Sequence, residues 1–328
     1  MNLLPVCPEC PFHLVNRAYL AGLETPQKYL IVIAGPTAVG KTALAIQLAE
    51  FLKTEIVSAD SRQIFREMTI GTAKPSGQQL EMVPHHFINN HSIAETYDAA
   101  QYGRDALVLI HSLFEKYNSI VLVGGSGLYI KAVCEGFDDI PEVPGDIRQR
   151  LTDQYEQHGL LWLQQQMLAM DAEHFASIDQ QNPHRLMRAL EVKLGTGMSI
   201  SEFQKKRKLE HPFSILKIGL ETERDELYKR IDYRMDSMIA QGLFDEASTL
   251  YPYKDHQALK TVGYQEIFDF MDGKYDREEA IRLLKRNSRR YAKRQLTWFK
   301  RDEEMQWFGT NAIDPIVSML RSRFQVPS

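Results

Sequence analysis

Short, unbroken apolar runs alternate with longer segments of helical periodicity along the first third of the chain. Tyr29-Leu-Ile-Val-Ile-Ala34, Glu55-Ile-Val-Ser-Ala59 and Ser119-Ile-Val-Leu-Val123 are brief and rich in β-branched residues. Runs of that length and type suit strands buried on both faces of a parallel sheet. Between them, Thr42 to Lys53 and Tyr97 to Tyr117 place apolar residues at helical spacing. Strand and helix in alternation predict an α/β fold, a parallel doubly wound sheet flanked by helices.

The pattern changes near Pro141 and Pro144. From there to about Leu209 the segments are polar and helical, clearest at Leu160 to Ala172 and Pro183 to Leu194, with no strand among them. Ser214-Ile-Leu-Lys-Ile-Gly-Leu220 then predicts a strand returning to the sheet, followed by helical stretches at 223–241, 243–250, 263–272 and 276–301. The predicted division is an α/β core from 29–136 and 211–328, interrupted by an all-helical insertion at 137–210. Residues 1–28 read as a flexible extension. Within it, Cys7-Pro-Glu-Cys10 and His13 make half a zinc site, and Cys134 supplies no second ligand pair.

Composition narrows the setting. At 44% hydrophobic and 25% charged residues the chain is ordinary for a globular protein. Its apolar runs are too short to span a bilayer, and Met1 to Cys7 has neither the basic start nor the apolar stretch of a signal peptide. Three cysteines do not make a disulfide framework, so a reducing, cytoplasmic setting is expected, with no membrane association. Net charge is −4, yet nine Lys/Arg fall between Arg282 and Arg301 with no Asp or Glu among them, and Lys205-Lys-Arg-Lys208 forms a second run. Basic patches on a mildly acidic chain point to a specific polyanionic partner. On the 276–301 helix the cations fill one arc, while Ile281, Leu284, Tyr291, Trp298 and Phe299 lie opposite and are expected to pack on the core.

The chemistry begins after the first strand. Gly35-Pro-Thr-Ala-Val-Gly-Lys-Thr42 has the spacing of a P-loop in its strand–loop–helix setting. Gly35 and Gly40 allow backbone geometries that aim successive N–H groups, including those of Pro36-flanking Thr37, Ala38 and Val39, into one concavity. The following helix directs its positive end to the same point. Lys41 adds a full charge, and the Thr42 hydroxyl can ligate Mg²⁺. Such a loop holds a diphosphate group but does not choose among ATP, GTP and another diphosphate. Asp60-Ser-Arg-Gln63 follows the second strand and should face the same ligand, because ligands of open parallel sheets sit beyond the strands' carboxyl ends. Asp60 there suits a general base or a Mg²⁺ ligand, or alternatively a helix N-cap. His85-His86 suggest metal ligands in isolation, but no third ligand sits at useful spacing, which favours a structural or substrate-lining role.

Nine segments in order resemble the tRNA dimethylallyltransferase (isopentenyl-diphosphate:tRNA transferase) family. They are the P-loop, Asp60 to Gln63, Met68-Thr-Ile-Gly-Thr-Ala-Lys-Pro75, Pro84-His-His86 and Gly124-Gly-Ser-Gly-Leu-Tyr129. Asn182-Pro-His-Arg-Leu-Met-Arg-Ala-Leu-Glu-Val192, Glu223 to Ile231, Val262-Gly-Tyr-Gln265 and Tyr291-Ala-Lys-Arg-Gln-Leu-Thr-Trp-Phe299 complete the set. Ser126 stands where the family commonly has Thr, and Asn182 where it commonly has Asp; residues 1–28 have no counterpart.

The resemblance implies a P-loop NTPase-like core and transfer of a dimethylallyl group from dimethylallyl diphosphate to N6 of an adenosine beside the anticodon, with Mg²⁺ as cofactor. Asp60 would be the general base, with Lys41, Thr42 and Ser126 also in the catalytic set. Residues Gly35 to Thr42, with Arg224, would hold the donor. The implied tRNA contacts are Asp60, Ser61, Arg62, Gln63, Ser126, Arg148, His184, Arg185, Leu186, Met187, Arg188, Lys260, Gly263 and Tyr264. Arg289, Arg290, Lys293 and Arg294 join them from the basic helix, and no obligate protein partner is implied. Two rival readings are a P-loop small-molecule or nucleoside kinase and a non-catalytic RNA-binding protein that keeps a P-loop as a switch. The kinase would need an arginine-bearing lid over a γ-phosphate, and none is evident; intact Lys41, Thr42 and Asp60 argue against the second.

Overall fold

The computed structural model describes residues 27–138, 140–204 and 209–324; the Cys7, Cys10 and His13 group and the 205–208 basic run lie outside them. In chain order the elements are β1 (Tyr29–Ala34), α1 (Lys41–Leu52), β2 (Ile56–Ser58), α2 (Gly77–Met82), β3 (His85–His86), α3 (Ala99–Phe114), β4 (Ser119–Gly124) and α4 (Gly127–Cys134). Then come α5 (Gly145–Met170), α6 (Ala172–Ser177), α7 (Pro183–Thr196), α8 (Ile200–Phe203) and β5 (Ser214–Glu221). The chain closes with α9 (Arg224–Ala240), α10 (Leu243–Leu250), α11 (Gln265–Met271), α12 (Arg277–Phe299), β6 (Gln306–Gly309) and α13 (Ile313–Phe324).

The sheet is parallel throughout, in the order β3-β2-β4-β1-β5-β6. Pleating divides β1 between two cores. Leu30, Val32 and Ala34 pack with Tyr102, Ala106 and Ile110 of α3 and Ile130 of α4. Ile31 and Ile33 pack with Leu44, Ala45 and Leu48 of α1 and with Leu320 of α13. Each Leu, Ile or Val side chain so withdrawn from water contributes about 1.5–3 kcal/mol, which is why the unbroken apolar runs become central strands. Two edge strands were not predicted, β3 with two residues and β6 with four in a half-exposed pattern, and in the core unit neither were the helices α2, α4 and α13.

The chain forms two compact units, one running to Cys134 and resuming at His211, the other Glu135–Glu210. The second contains no strand among its described residues and has its own core, including Ile147, Leu151, Leu163, Met167, Leu186 and Leu190. Its α5 runs longer than expected and is broken at Gly159, whose φ of 73° is left-handed.

Candidate active site

Strand register brings the site together. Ala34 of β1 pairs with Gly124 of β4, and Ser58 of β2 with Val123, so three strands end at one level. The Gly35–Thr42 loop, the Gly125–Ser126 turn and Asp60 leave the sheet side by side. Gly124 permits this approach, since a Cβ there would lie 2.0 Å from the Ala59 carbonyl oxygen. Ala59 N–H donates to Val123 O at 2.7 Å, carrying the β2 chain across to β4 before it turns outward at Asp60.

On the P-loop side, Gly40 caps α1 with a left-handed φ of 103°, and Ala38 also has positive φ at 64°. A non-glycine residue held there is strained, a feature that concentrates at ligand-binding loops. Gly35, Pro36 and Val39 are buried, while Thr37, Ala38 and Thr42 are partly accessible. The Lys41 ammonium turns into the loop and donates to Pro36 O at 2.7 Å. Desolvation, with the nearby Arg234 guanidinium, draws its pKa down to about 7 against the pull of Asp60. Arg234 of α9 donates to the Thr37 hydroxyl. Gln295 of α12 accepts from Thr37 N–H at 2.8 Å.

On the other side, Asp60 Oδ1 accepts from the N–H groups of Arg62 at 2.9 Å and Gln63 at 3.3 Å. One oxygen therefore serves the backbone of a turn, and no helix follows for Asp60 to cap. Oδ2 has no hydrogen-bond donor among the described residues, and Lys41, Arg62 and Arg234 are the carboxylate's cationic neighbours. Ser126 Oγ accepts from Ser61 N–H at 2.9 Å and donates to Ser61 Oγ at 3.1 Å. Burial lowers the pKa of Arg62 and Asp60 opposes it, so the guanidinium stays charged beside the carboxylate. Gln63 is committed elsewhere, its Nε2 donating to Thr72 O and Ala73 O at 3.2 Å each.

The 68–75 segment lies in no helix or strand over most of its length and is fixed by one carboxylate. Glu246 accepts from the N–H groups of Thr69, Ile70 and Gly71 at 3.0, 2.8 and 2.9 Å, and from the Tyr264 hydroxyl at 2.7 Å. Tyr264 is fully buried, so its expected role against RNA is corrected to packing and to holding Glu246. Gly263 is also buried, its N–H donating to Glu266, and only Lys260 of that group is exposed. His86 pairs with Glu55 at 2.6 Å on the β3 edge, and among the described residues no group of three potential metal-binding side chains exists.

Several predicted contacts stand differently. Arg224 is exposed, its guanidinium over the Tyr228 ring at 5.2 Å, while Arg234 of the same helix reaches the P-loop. Along the basic run four cations are already paired: on α12 Arg282 with Glu279, Arg289 with Asp232 and Lys285 with Asp236 at 2.6 Å, and just past it Lys300 with Glu221 at 2.9 Å. Among the described residues Arg290, Lys293 and Arg294 have no carboxylate within ion-pair distance, and all three are exposed. Leu284 and Phe299 are buried as expected, but Tyr291 and Trp298 are each 37% exposed. Trp298 lies against Gly127, beside Ser126, not in the core. In the inserted unit, His184 and Arg185 are exposed and Met187 is half-buried. Leu186 is fully buried, so the expected RNA contact there is corrected to core packing. Arg148 and Arg188 converge on Glu191, at 3.8 and 3.0 Å.

Arg234 and Gln295 were missed, and each left a trace. Leu227, Ile231 and Met238 form the buried stripe of α9, and Arg234 falls within it. Leu284, Ser288, Ala292, Gln295 and Phe299 form the stripe of α12. A charge or amide in an inward-facing stripe has to be matched inside, which marks it for a site.

No helix of the described residues is long and apolar enough to cross a membrane. Residues 63–302 match the family model described as IPP transferase. A tRNA dimethylallyltransferase of Cytophaga hutchinsonii is 48% identical over 298 residues, covering 91% of this chain and 98% of that protein. One of Christiangramia forsetii is 50% identical over 280 residues, covering 85% and 93%. The crystal structure of a Bacillus halodurans tRNA isopentenylpyrophosphate transferase superposes with a TM-score of 0.68 at 38% identity, covering 91% of this chain and 97% of that one. A eukaryotic dimethylallyltransferase caught acting on tRNA shares the fold, with a TM-score of 0.74 at 24% identity over 90% of this chain and 78% of that one. The chain belongs to the IPP transferase family, that of the tRNA dimethylallyltransferases.

Proposed function

We propose that the chain transfers the dimethylallyl group of dimethylallyl diphosphate to N6 of the adenosine next to the anticodon in tRNA, releasing diphosphate. The observation that carries this reading is the juxtaposition of Asp60 with Lys41 and Arg234. A carboxylate with a free oxygen faces two cations at the mouth of a loop built for a diphosphate. In the reaction the donor's C–O bond breaks, the N6–C bond forms, and the amine's proton passes to Asp60 Oδ2. Charge grows on the leaving diphosphate, and the loop N–H groups, Lys41 and Arg234 oppose it there. Ser126 and Ser61 lie where the adenine would be oriented. Adenine's amine is a weak nucleophile, so alignment of the two substrates supplies much of the acceleration.

Mg²⁺ fits the residues present. It favours one or two protein oxygens supplemented by phosphate oxygens and water. The Thr42 hydroxyl is such an oxygen, and no cluster of three His, Cys, Asp or Glu side chains exists among the described residues, so diphosphate oxygens and water would complete the shell. When bound, the ion would neutralise diphosphate charge. The exposed Arg290, Lys293 and Arg294 of α12 and His184 and Arg185 of the inserted unit are the surfaces offered to the RNA backbone. The working compartment of this reading is the cytoplasm.

The test is nucleoside analysis of tRNA incubated with the protein, dimethylallyl diphosphate and Mg²⁺. An N6-dimethylallyl adenosine is expected. Asp60→Ala should lower kcat by about 10²–10⁴, the range for loss of a general base, with tRNA affinity little changed. ATP hydrolysis coupled to turnover, or phosphoryl transfer from labelled ATP in place of prenylation, would replace this reading with the kinase.

A further inference from the structure

We infer that Gln295 is a positioning residue for the transfer, setting the spacing between the loop that holds the leaving diphosphate and the turn that holds the attacking amine. The inference deepens the reading above and rests on it. Gln295 is only 7% exposed, near the C-terminal end of the cation-rich helix α12. Its Oε1 accepts from Thr37 N–H at 2.8 Å, and its Nε2 donates to Gly125 O at 2.8 Å. One amide thus joins the donor loop to the turn that ends in Ser126.

The two backbones are already joined by the β1–β4 ladder, whose last pair is Ala34 with Gly124. Beyond that pair they diverge, one toward α1 and the other toward α4. Gln295 continues the connection past the ladder's end with a side chain. The task needs a donor and an acceptor at fixed separation. Leucine has neither, and glutamate would set a second oxygen against the Gly125 carbonyl. Asparagine is a methylene too short. Gly125 is matched to it, since a Cβ at that position would lie 2.4 Å from Gln295 Nε2.

The spacing matters because the breaking C–O bond and the attacking N6 belong to molecules held by different loops. Reacting atoms must approach to about 3–3.5 Å, and a misplacement of about 1 Å costs roughly a hundredfold. If the loops drift apart, each still binds its own substrate, but water can enter between them. The donor's C–O bond then breaks toward water, yielding dimethylallyl alcohol, diphosphate and a proton in place of the N6–C bond.

The decisive measurement is the ratio of donor hydrolysis to tRNA prenylation in the full-length enzyme with Mg²⁺. For Gln295→Leu, transfer kcat should fall about ten- to a hundredfold and the hydrolysis-to-transfer ratio should rise at least about tenfold. KM for donor and for tRNA should each stay within about threefold, because uniform binding is untouched. A loss of folded enzyme lowers both products alike and leaves the ratio unmoved. Gly125→Ala, which displaces the amide from the other side, supplies the same reading should the leucine variant fold poorly. Gly125→Ala with Gln295→Ala should be no worse than either alone, since both break the same bridge. An unchanged ratio in Gln295→Leu and Gly125→Ala overturns the inference while leaving the transfer reading intact. A wild-type protein that prenylates no tRNA sinks both.

Discussion

The donor loop and the basic helix α12 both gather positive charge, and the fold treats the two in opposite ways. At the loop, Lys41 and Arg234 come from segments far apart in the chain and meet beside Asp60, close enough that Arg234 helps depress Lys41. On α12 and just past it, a run that contains no acidic residue in sequence meets Asp232, Asp236 and Glu221 from other elements, and Glu279 from the helix's own first turn. Folding assembles charge at the first site and neutralises half of it at the second. Cations left unanswered after folding are the ones available to an anion. A charge run in a sequence therefore overstates the cations that folding leaves unpaired, and a P-loop motif shows only part of the charge gathered around it.

The largest effect that could break this contrast is at Arg234. Removing one preorganised donor to developing charge typically costs about 10²–10³ in kcat, and Arg234→Ala should fall in that range. Arg224→Ala, an exposed residue stacked on Tyr228, should leave donor kinetics within about twofold, as surface substitutions usually do. Equal effects of the two would return the donor role to Arg224.

Proton uptake sharpens the same site. With its pKa at about 7, Lys41 is charged in the free protein below that pH and neutral above it. A bound diphosphate favours the charged form, so donor binding above about pH 7 must take up a proton, and the Kd should climb toward tenfold per pH unit. Calorimetry near pH 8.5 in buffers of different ionisation heat should report about one proton taken up, a signal lost in Lys41→Met. No uptake in the wild type would mean the ammonium does not meet the donor.

The smallest effect concerns α12. Neutralising Arg290, Lys293 and Arg294 together should raise the tRNA KM and flatten the salt dependence by about 0.7–0.9 in log–log slope for each RNA phosphate no longer neutralised. Neutralising the paired Lys285 and Arg289 should change the slope far less. If the two sets behave alike, pairing does not decide which cations reach the RNA.

Sequence reading captured the parts whose cause is local. β1, the P-loop and the onset of α1 follow from an apolar run, glycines at fixed spacing and helical periodicity, and the structure has them in place. Asp60 was legible because parallel sheets collect ligands at the strand ends. Its engagement with the N–H groups of Arg62 and Gln63 was open, since an Asp after a strand suits either use. What stayed hidden depends on partners distant in the chain. Tyr264, implied as a tRNA contact at the start of a predicted helical stretch, is buried because its hydroxyl meets Glu246, a residue of another helix. Trp298 sits at a core-facing phase of α12, yet lies at the helix's last turn against Gly127, where the core ends. β3 and β6 are too short, and too exposed at the sheet's edges, for pleating to impose a pattern on them.

The placement of β1 between β4 and β5 has a bearing on how the protein is made. β5 follows the inserted unit, so a ribosome completes β1, β2, β4 and the whole helical unit before β1 gains its second neighbour. Until then the most apolar strand has an open edge, the kind of surface that invites pairing with other chains and recruits chaperones. The donor loop waits longer still, because Thr37 takes partners from Arg234 and then Gln295. A growing chain thus carries its complete P-loop motif through most of translation without the two side chains that contact Thr37.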